Sequence, residues 1–224
     1  MLAEYIQFAK EISQNNNKVW FDENRNRWDK IRKEWPGVIQ EIIYEIAKFD
    51  TAIQFLQPKE CIYRINRDVR FSKNKTPYKD YISAVFSPAG KKDGCIAYYF
   101  EITPDGFLRM GGGWWMVEPK RLLAVRNHIA ENLDDITEFR NIIDDKVFQK
   151  TFNGLSDSNV LKTHPKGFAK DSINIDLLKH NNFTAIATQN LDFKTDQELI
   201  KTLSKKFKII SPFIQILRKW ENLR

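Results

Sequence analysis

The sequence is short of the residues that break or staple a chain. It has 9 Gly and 8 Pro in 224 residues, with no Gly/Pro/Ser-rich tract and no internal repeat. A collagen-like or low-complexity architecture and a composition-marked linker are therefore excluded. Two cysteines, Cys61 and Cys95, are too few for a disulfide scaffold. Both sit in apolar, strand-like contexts and read as buried free thiols, which suits a reducing cytoplasm. The three histidines, His128, His164 and His180, lack the spacing of a metal site, so no metal is expected. No G-x-S-x-G elbow is present. The most apolar runs, such as residues 95–100, fall far short of the ~20 residues of a membrane span. The opening Met1-Leu-Ala-Glu-Tyr-Ile has no basic leader or long apolar stretch, so neither membrane insertion nor secretion is expected.

What is present is core-forming material. Hydrophobic residues make up 42% of the chain, including 16 Phe, 7 Tyr and 6 Trp, enough for one domain over residues 1–224. Residues 2–13 have helical spacing through Leu2, Tyr5, Ile6, Phe8, Ala9 and Ile12, and Asn15-Asn16-Asn17 breaks the helix. Asp22 is placed to N-cap a second helix through Trp28 and Ile31. Pro36-Gly37 then interrupts it, and a third helix uses Val38, Ile39, Ile42, Ile43, Ile46 and Ala47. From residue 51 the period changes, with strand-like runs at 61–66, 82–87, 96–103 and 107–110. The last two are joined by a Pro104-Asp105-Gly106 turn. A helix is expected from Pro119, further helices over 133–152, irregular chain over 156–176, a strand over 183–188, and a C-terminal helix over 194–220 bending near Pro212. Short connections between consecutive strands predict an α+β fold: a mainly antiparallel central sheet with helices packed on it, and helices at both termini.

The net charge is +7, and its distribution is uneven. Residues 64–79 carry six cations, Arg64, Arg67, Arg70, Lys73, Lys75 and Lys79, against one anion, Asp68, so +5 of the +7 lies in sixteen residues. A concentrated excess points to a site, whereas a dispersed one serves solubility. Continued as a strand, this segment would set Arg67 among Tyr63, Ile65, Val69 and Phe71, which is costly without a partner. Two resolutions exist: the strand ends near Asn66 and the chain turns, or Arg67 is buried against a carboxylate. Loop-like residues from Ser72 favour the turn. The guanidinium groups suit bidentate contact with phosphate or carboxylate, the lysines add point charges, and Tyr78 adds a hydroxyl or a stacking face. Asp68, flanked by arginines, suits an orienting role better than acid catalysis.

The string Arg64-Ile-Asn-Arg67-Asp68-Val-Arg70-Phe71-Ser72-Lys73-Asn74-Lys75-Thr76-Pro77-Tyr78-Lys79 resembles the signature of DUF2461, a bacterial family of unknown function and of about this length. Its pattern is Arg-x-x-Arg-Asp-x-Arg-Phe, then Asp or Asn before Lys, then Tyr. Weaker echoes fall at Asn16-Asn17-Lys18-Val19-Trp20-Phe21, Gly111-Gly112-Gly113-Trp114 and Pro165-Lys166-Gly167-Phe168. The resemblance implies one shared site and names no activity.

Other features carry two readings each. Gly111-Gly112-Gly113 is either a phosphate-cradling loop or, as favoured, a tight backbone turn beside Trp114 and Trp115. Lys162, His164 and Lys166 lie in an irregular stretch that either closes over the arginines or is solvated; the family echo favours Lys166 as a contributor. Trp20, Trp28 and Trp35 are core packing, or a platform for stacking bases. The leading functional expectation is a pocket for a small anionic, phosphorylated ligand, built from Arg64, Arg67, Asp68, Arg70, Lys73, Lys75, Tyr78, Lys79 and Lys166. Two alternatives stand beside it. One is a nucleic-acid-binding module. The other is a structural cluster in which the arginines pair with acids such as Glu101, Asp144 or Asp145 to hold the fold or an oligomer interface. No cofactor and no reaction is specified by any motif.

Overall fold

A computed structural model describes residues 1–223 apart from Asp93 and Lys194. The fold is α+β. Helices α1 (Leu2–Gln14), α2 (Lys18–Glu23), α3 (Arg25–Ala47) and α4 (Pro58–Cys61) precede the strands β1 (Ile82–Phe86), β2 (Ile96–Ile102) and β3 (Phe107–Trp114). Helices α5 (Pro119–Glu131), α6 (Leu133–Ile143), α7 (Lys146–Phe152) and α8 (Ile175–Leu178) follow, then strand β4 (Phe183–Asn190) and helix α9 (Asp196–Glu221). The sheet is antiparallel in the order β1-β2-β3-β4. The β2–β3 turn closes as expected: Thr103 N–H donates to the Phe107 carbonyl at 2.9 Å, and Gly106 takes a φ of 86°.

The chain divides into two compact units. The first comprises Met1–Lys91, Tyr99–Met110 and Thr188–Lys205; the second comprises Lys92–Tyr98, Gly111–Ala187 and Lys206–Arg224. In the first, α1 and α3 bury an aromatic and aliphatic core that includes Phe8, Trp35, Ile39 and Ile43. The Trp35 ring meets Phe100 of β2 edge-on at 6.1 Å. In the second, Trp220 of α9 packs on Phe139 at 4.8 Å and on Phe183 at 6.1 Å. Among the described residues, no helix is long and apolar enough to cross a membrane.

Four local expectations are corrected. Asp22 lies inside α2, which Asn17 caps by accepting from Trp20 N–H, and pairs with Lys18 and Arg25; the helix through Trp28 and Ile31 is α3, which begins after Asn24 with no side-chain cap bond. Helix α3 runs unbroken through Pro36-Gly37. Proline in a helix interior costs about 3 kcal/mol, but this helix buries Ile31 and Trp35 before the proline and Val38, Ile39, Ile42, Ile43 and Ile46 after it. At about 1.5–3 kcal/mol per buried side chain the packing wins. Residues 61–66 form no named strand: Cys61 ends α4, and only Ile62 and Asn66 make isolated bridges.

The glycine triplet is the fourth correction, since it lies inside β3 and makes no turn. A Cβ at Gly112 would stand 2.3 Å from the Ala97 carbonyl oxygen, and one at Gly113, where φ is 130°, would stand 2.1 Å from that of Phe183. These glycines let neighbouring backbone approach closer than any side chain allows.

Candidate functional site

After α4 the chain makes an arm beside β1. Ile62 bridges Ala84, and Asn66 bridges Tyr78, both antiparallel. Arg67 N–H donates to the Pro77 carbonyl at 2.9 Å, and Lys79 N–H to that of Ile65 at 2.8 Å. Pairing stops there, and residues 68–76 form the tip. The chain thus turns just past Asn66. The Arg67 guanidinium takes the Thr76 carbonyl at 3.1 Å and the Thr76 hydroxyl, with no carboxylate among the described residues.

The 66–78 pair is one in which the flanking residues exchange the hydrogen bonds, so the N–H and C=O of Tyr78 point away from Asn66. Asn16 meets both. Its side-chain amide donates to the Tyr78 carbonyl at 2.9 Å, and its amide oxygen accepts from Tyr78 N–H at 3.0 Å. A single side chain thereby imitates the next strand. Tyr78, only 6% exposed, stacks on Phe21 with ring centroids 4.1 Å apart. Two separated stretches of the sequence pattern, around Asn16–Phe21 and at Tyr78, are thus one structural clamp.

The tip is braced from within. Asp68 holds Arg70 through both carboxylate oxygens, at 3.0 Å from Nε and 2.7 Å from Nη2. The Arg70 hydrogen bonds lower the Asp68 pKa to about 2. Lys75 Nζ donates to the Val69 carbonyl at 2.9 Å and that of Arg70 at 3.4 Å. Asn74 accepts from the backbone and hydroxyl of Thr76. Lys73 is exposed, with no partner among the described residues.

Arg64 and Lys79 stand apart from this bracing. They line a small open cleft together with Tyr63, Asp80, Phe8 of α1 and Trp28 of α3. Arg64 makes no ion pair or hydrogen bond among the described residues. Lys79 is half-buried, its Nζ 4.8 Å from the Tyr63 ring centroid. Burial lowers its pKa first, and the charges of Arg64 and Lys91 lower it further. Lys91 anchors beside them by donating to the Lys59 and Ile62 carbonyls, both at 2.7 Å. Arg64 and Lys79 of the arm, with Lys91 beyond β1, thus place three like charges near enough to act on one another.

The other residues singled out by the sequence have these surroundings. Lys166 and His164 belong to the second unit and are exposed, beside a turn in which Phe168 N–H donates to Pro165. Glu101 is held by Arg109 at 3.0 Å and by the Tyr99 hydroxyl at 2.8 Å, and Asp145 caps α7. Trp35 is buried core, and Trp28 is half-buried at the cleft. His128 pairs with Asp135. Among the described residues, no group of three or more His, Cys, Asp or Glu side chains could hold a metal. Sequence reasoning missed Lys91 and the aromatic wall from α1 and α3. Lys91 lies outside the charged run, and the wall residues look like ordinary helix core.

The family model described as a conserved hypothetical protein (DUF2461) matches residues 4–216, so the chain belongs to that family. No curated protein and no solved structure matches it.

Proposed function

We propose that this member of DUF2461 binds a small anion, a phosphate or the phosphoryl group of a phosphorylated metabolite, in the cleft between Arg64 and Lys79. One observation carries the reading: Arg64 has no partner among the described residues, yet it shares the cleft with a half-buried lysine whose pKa is lowered by burial and then by Arg64 and Lys91. An anion there would relieve that repulsion, with Arg64 offering a bidentate fork and Lys79 a point charge. Asp80, which also lines the cleft, would oppose a highly charged anion there. The buried Cys61 thiol, its pKa pushed up to about 12 by burial, suits a reducing, cytoplasmic setting.

A narrower structural reading holds for Arg67, Arg70 and Lys75. Their donors are occupied by Thr76, Asp68 and loop carbonyls, so they fix the loop more than they recognise a ligand.

The test is thermal unfolding with inorganic phosphate, pyrophosphate or a sugar phosphate against chloride at equal ionic strength. A specific ligand at about 100 times its Kd adds about 2.7 kcal/mol of stability. Arg64→Ala should abolish that response while moving the ligand-free stability by no more than about 0.5 kcal/mol, because Arg64 is exposed and unpartnered among the described residues. Melting curves that are identical in every anion would overturn the reading.

A further inference from the structure

Phe71 stands at the tip of the braced loop and is 96% exposed, the most exposed large hydrophobic side chain among the described residues. A lone exposed apolar residue on a surface is ordinary. This one differs in its setting. The loop holding it is cross-linked by the Asp68–Arg70 pair, by Lys75 to two carbonyls, by Arg67 to Thr76 and by Asn74 to Thr76. A loop fixed this way presents its tip residue with little ordering left to do on binding. The Arg70 guanidinium carbon lies 5.8 Å from the Phe71 ring centroid. Residues 67–76 carry Arg67, Arg70, Lys73 and Lys75 against Asp68, a net +3.

We infer that residues 68–76 dock single-stranded nucleic acid, with Phe71 stacking on one base, Lys73 contacting a flanking phosphate, and Arg70 and Lys75 adding positive potential from within the loop. One aromatic ring set among positive charges is the combination that binds single strands without reading sequence: the ring meets a base face and the cations track the backbone. Charge complementarity alone would also suit an anionic lipid surface. A bilayer contact, however, is made by a face of several apolar side chains. Here Phe71 has polar or charged neighbours at 70, 72, 73, 74 and 75, and Val69 is half-buried. The platform is one base wide. This inference is independent of the Arg64–Lys79 cleft.

The experiment is fluorescence anisotropy of the full chain with labelled single-stranded 20-mers of dT and U, a duplex of equal length, and vesicles containing phosphatidylserine, at ~50 and ~200 mM salt. Binding to the single strands is expected at the lower salt and should weaken steeply at the higher. Phe71→Ala should weaken it by about 5- to 100-fold. Lys73→Gln should reduce the slope of log K against log salt by about 0.7. Both side chains are exposed, so unchanged melting temperatures would show that the variants remain folded. Failure to bind the oligomers at ~50 mM salt overturns the inference. So does an unchanged affinity in Phe71→Ala, or vesicle binding lost in Phe71→Ala without oligomer binding.

Discussion

Replacing Asn16 by Ala tests the clamp that positions the whole charged arm. The side chain supplies both partners of the Tyr78 backbone, at 2.9 and 3.0 Å. Those backbone groups face away from the arm's own pairing, so no ladder bond can replace the loss. Leaving a buried donor or acceptor unsatisfied costs about 1–3 kcal/mol per group. These two are only partly buried, and water recovers some of the cost, which puts the loss at about 3 kcal/mol. For a chain of this length that is a fall in Tm of roughly 6–12 °C. The neighbouring Asn17→Ala is the internal comparison. It removes only the α2 cap on Trp20 N–H, worth about 1 kcal/mol. Both variants would be measured by circular dichroism with heat and urea. The Asn16 variant should also lose the phosphate response, because Tyr78 and Lys79 are adjacent and move together. Equal losses for the two asparagines, or a loss below about 1 kcal/mol for Asn16, would refute the clamp.

Two further outcomes can be checked directly. Gly37 lies inside α3, its φ is not positive, and a Cβ there would meet nothing within 4 Å, so Gly37→Ala should stabilise by about 0.5–1 kcal/mol in urea unfolding; a loss would mean that the helix needs flexibility after Pro36. Asp68 has a folded-state pKa lowered to about 2 by Arg70, below the usual carboxylate value of about 3.9. Its contribution to loop order is therefore present above pH ~4 and lost as pH falls through the folded value. Carboxyl chemical shifts should show Asp68 titrating near 2 in the wild type and near the ordinary value in Arg70→Met, and an ordinary value in both would dissolve the pair.

Periodicity and composition carried the fold class a long way, because buried faces must repeat with the element that bears them. Helix α1, the Pro104-Asp105-Gly106 turn and the start of α5 at Pro119 were all legible for that reason. The failures share one cause: a local signal outweighed by packing between distant residues. Pro36-Gly37 reads as a break, yet the buried face on either side of it keeps α3 continuous. The glycine triplet reads as a turn because glycine permits one. What sets its role is the nearness of Ala97 and Phe183 backbone, which no local window contains. Residues 61–66 look like a strand by composition, but α4 takes Cys61 and bridges form only at Ile62 and Asn66.

The candidate site shows the same division more sharply. Charge density marks residues 64–79 as unusual, but a count of cations treats all six as equivalent. The structure separates them by what their donors already do. Lys75 keeps its charge while its ammonium is engaged by two carbonyls, and Arg70 spends its fork on Asp68. Such residues still contribute to the local potential, which acts at a distance and is screened by salt. They lack the open donors that bidentate recognition needs. Arg64 retains both charge and donors, and Lys79 is held half-buried against the Tyr63 ring. On the proposed reading, selectivity for one anion over another would come from Arg64 and Lys79, while the braced loop would supply attraction that any polyanion shares. That is why removing Arg64 and removing Phe71 should fail different ligands.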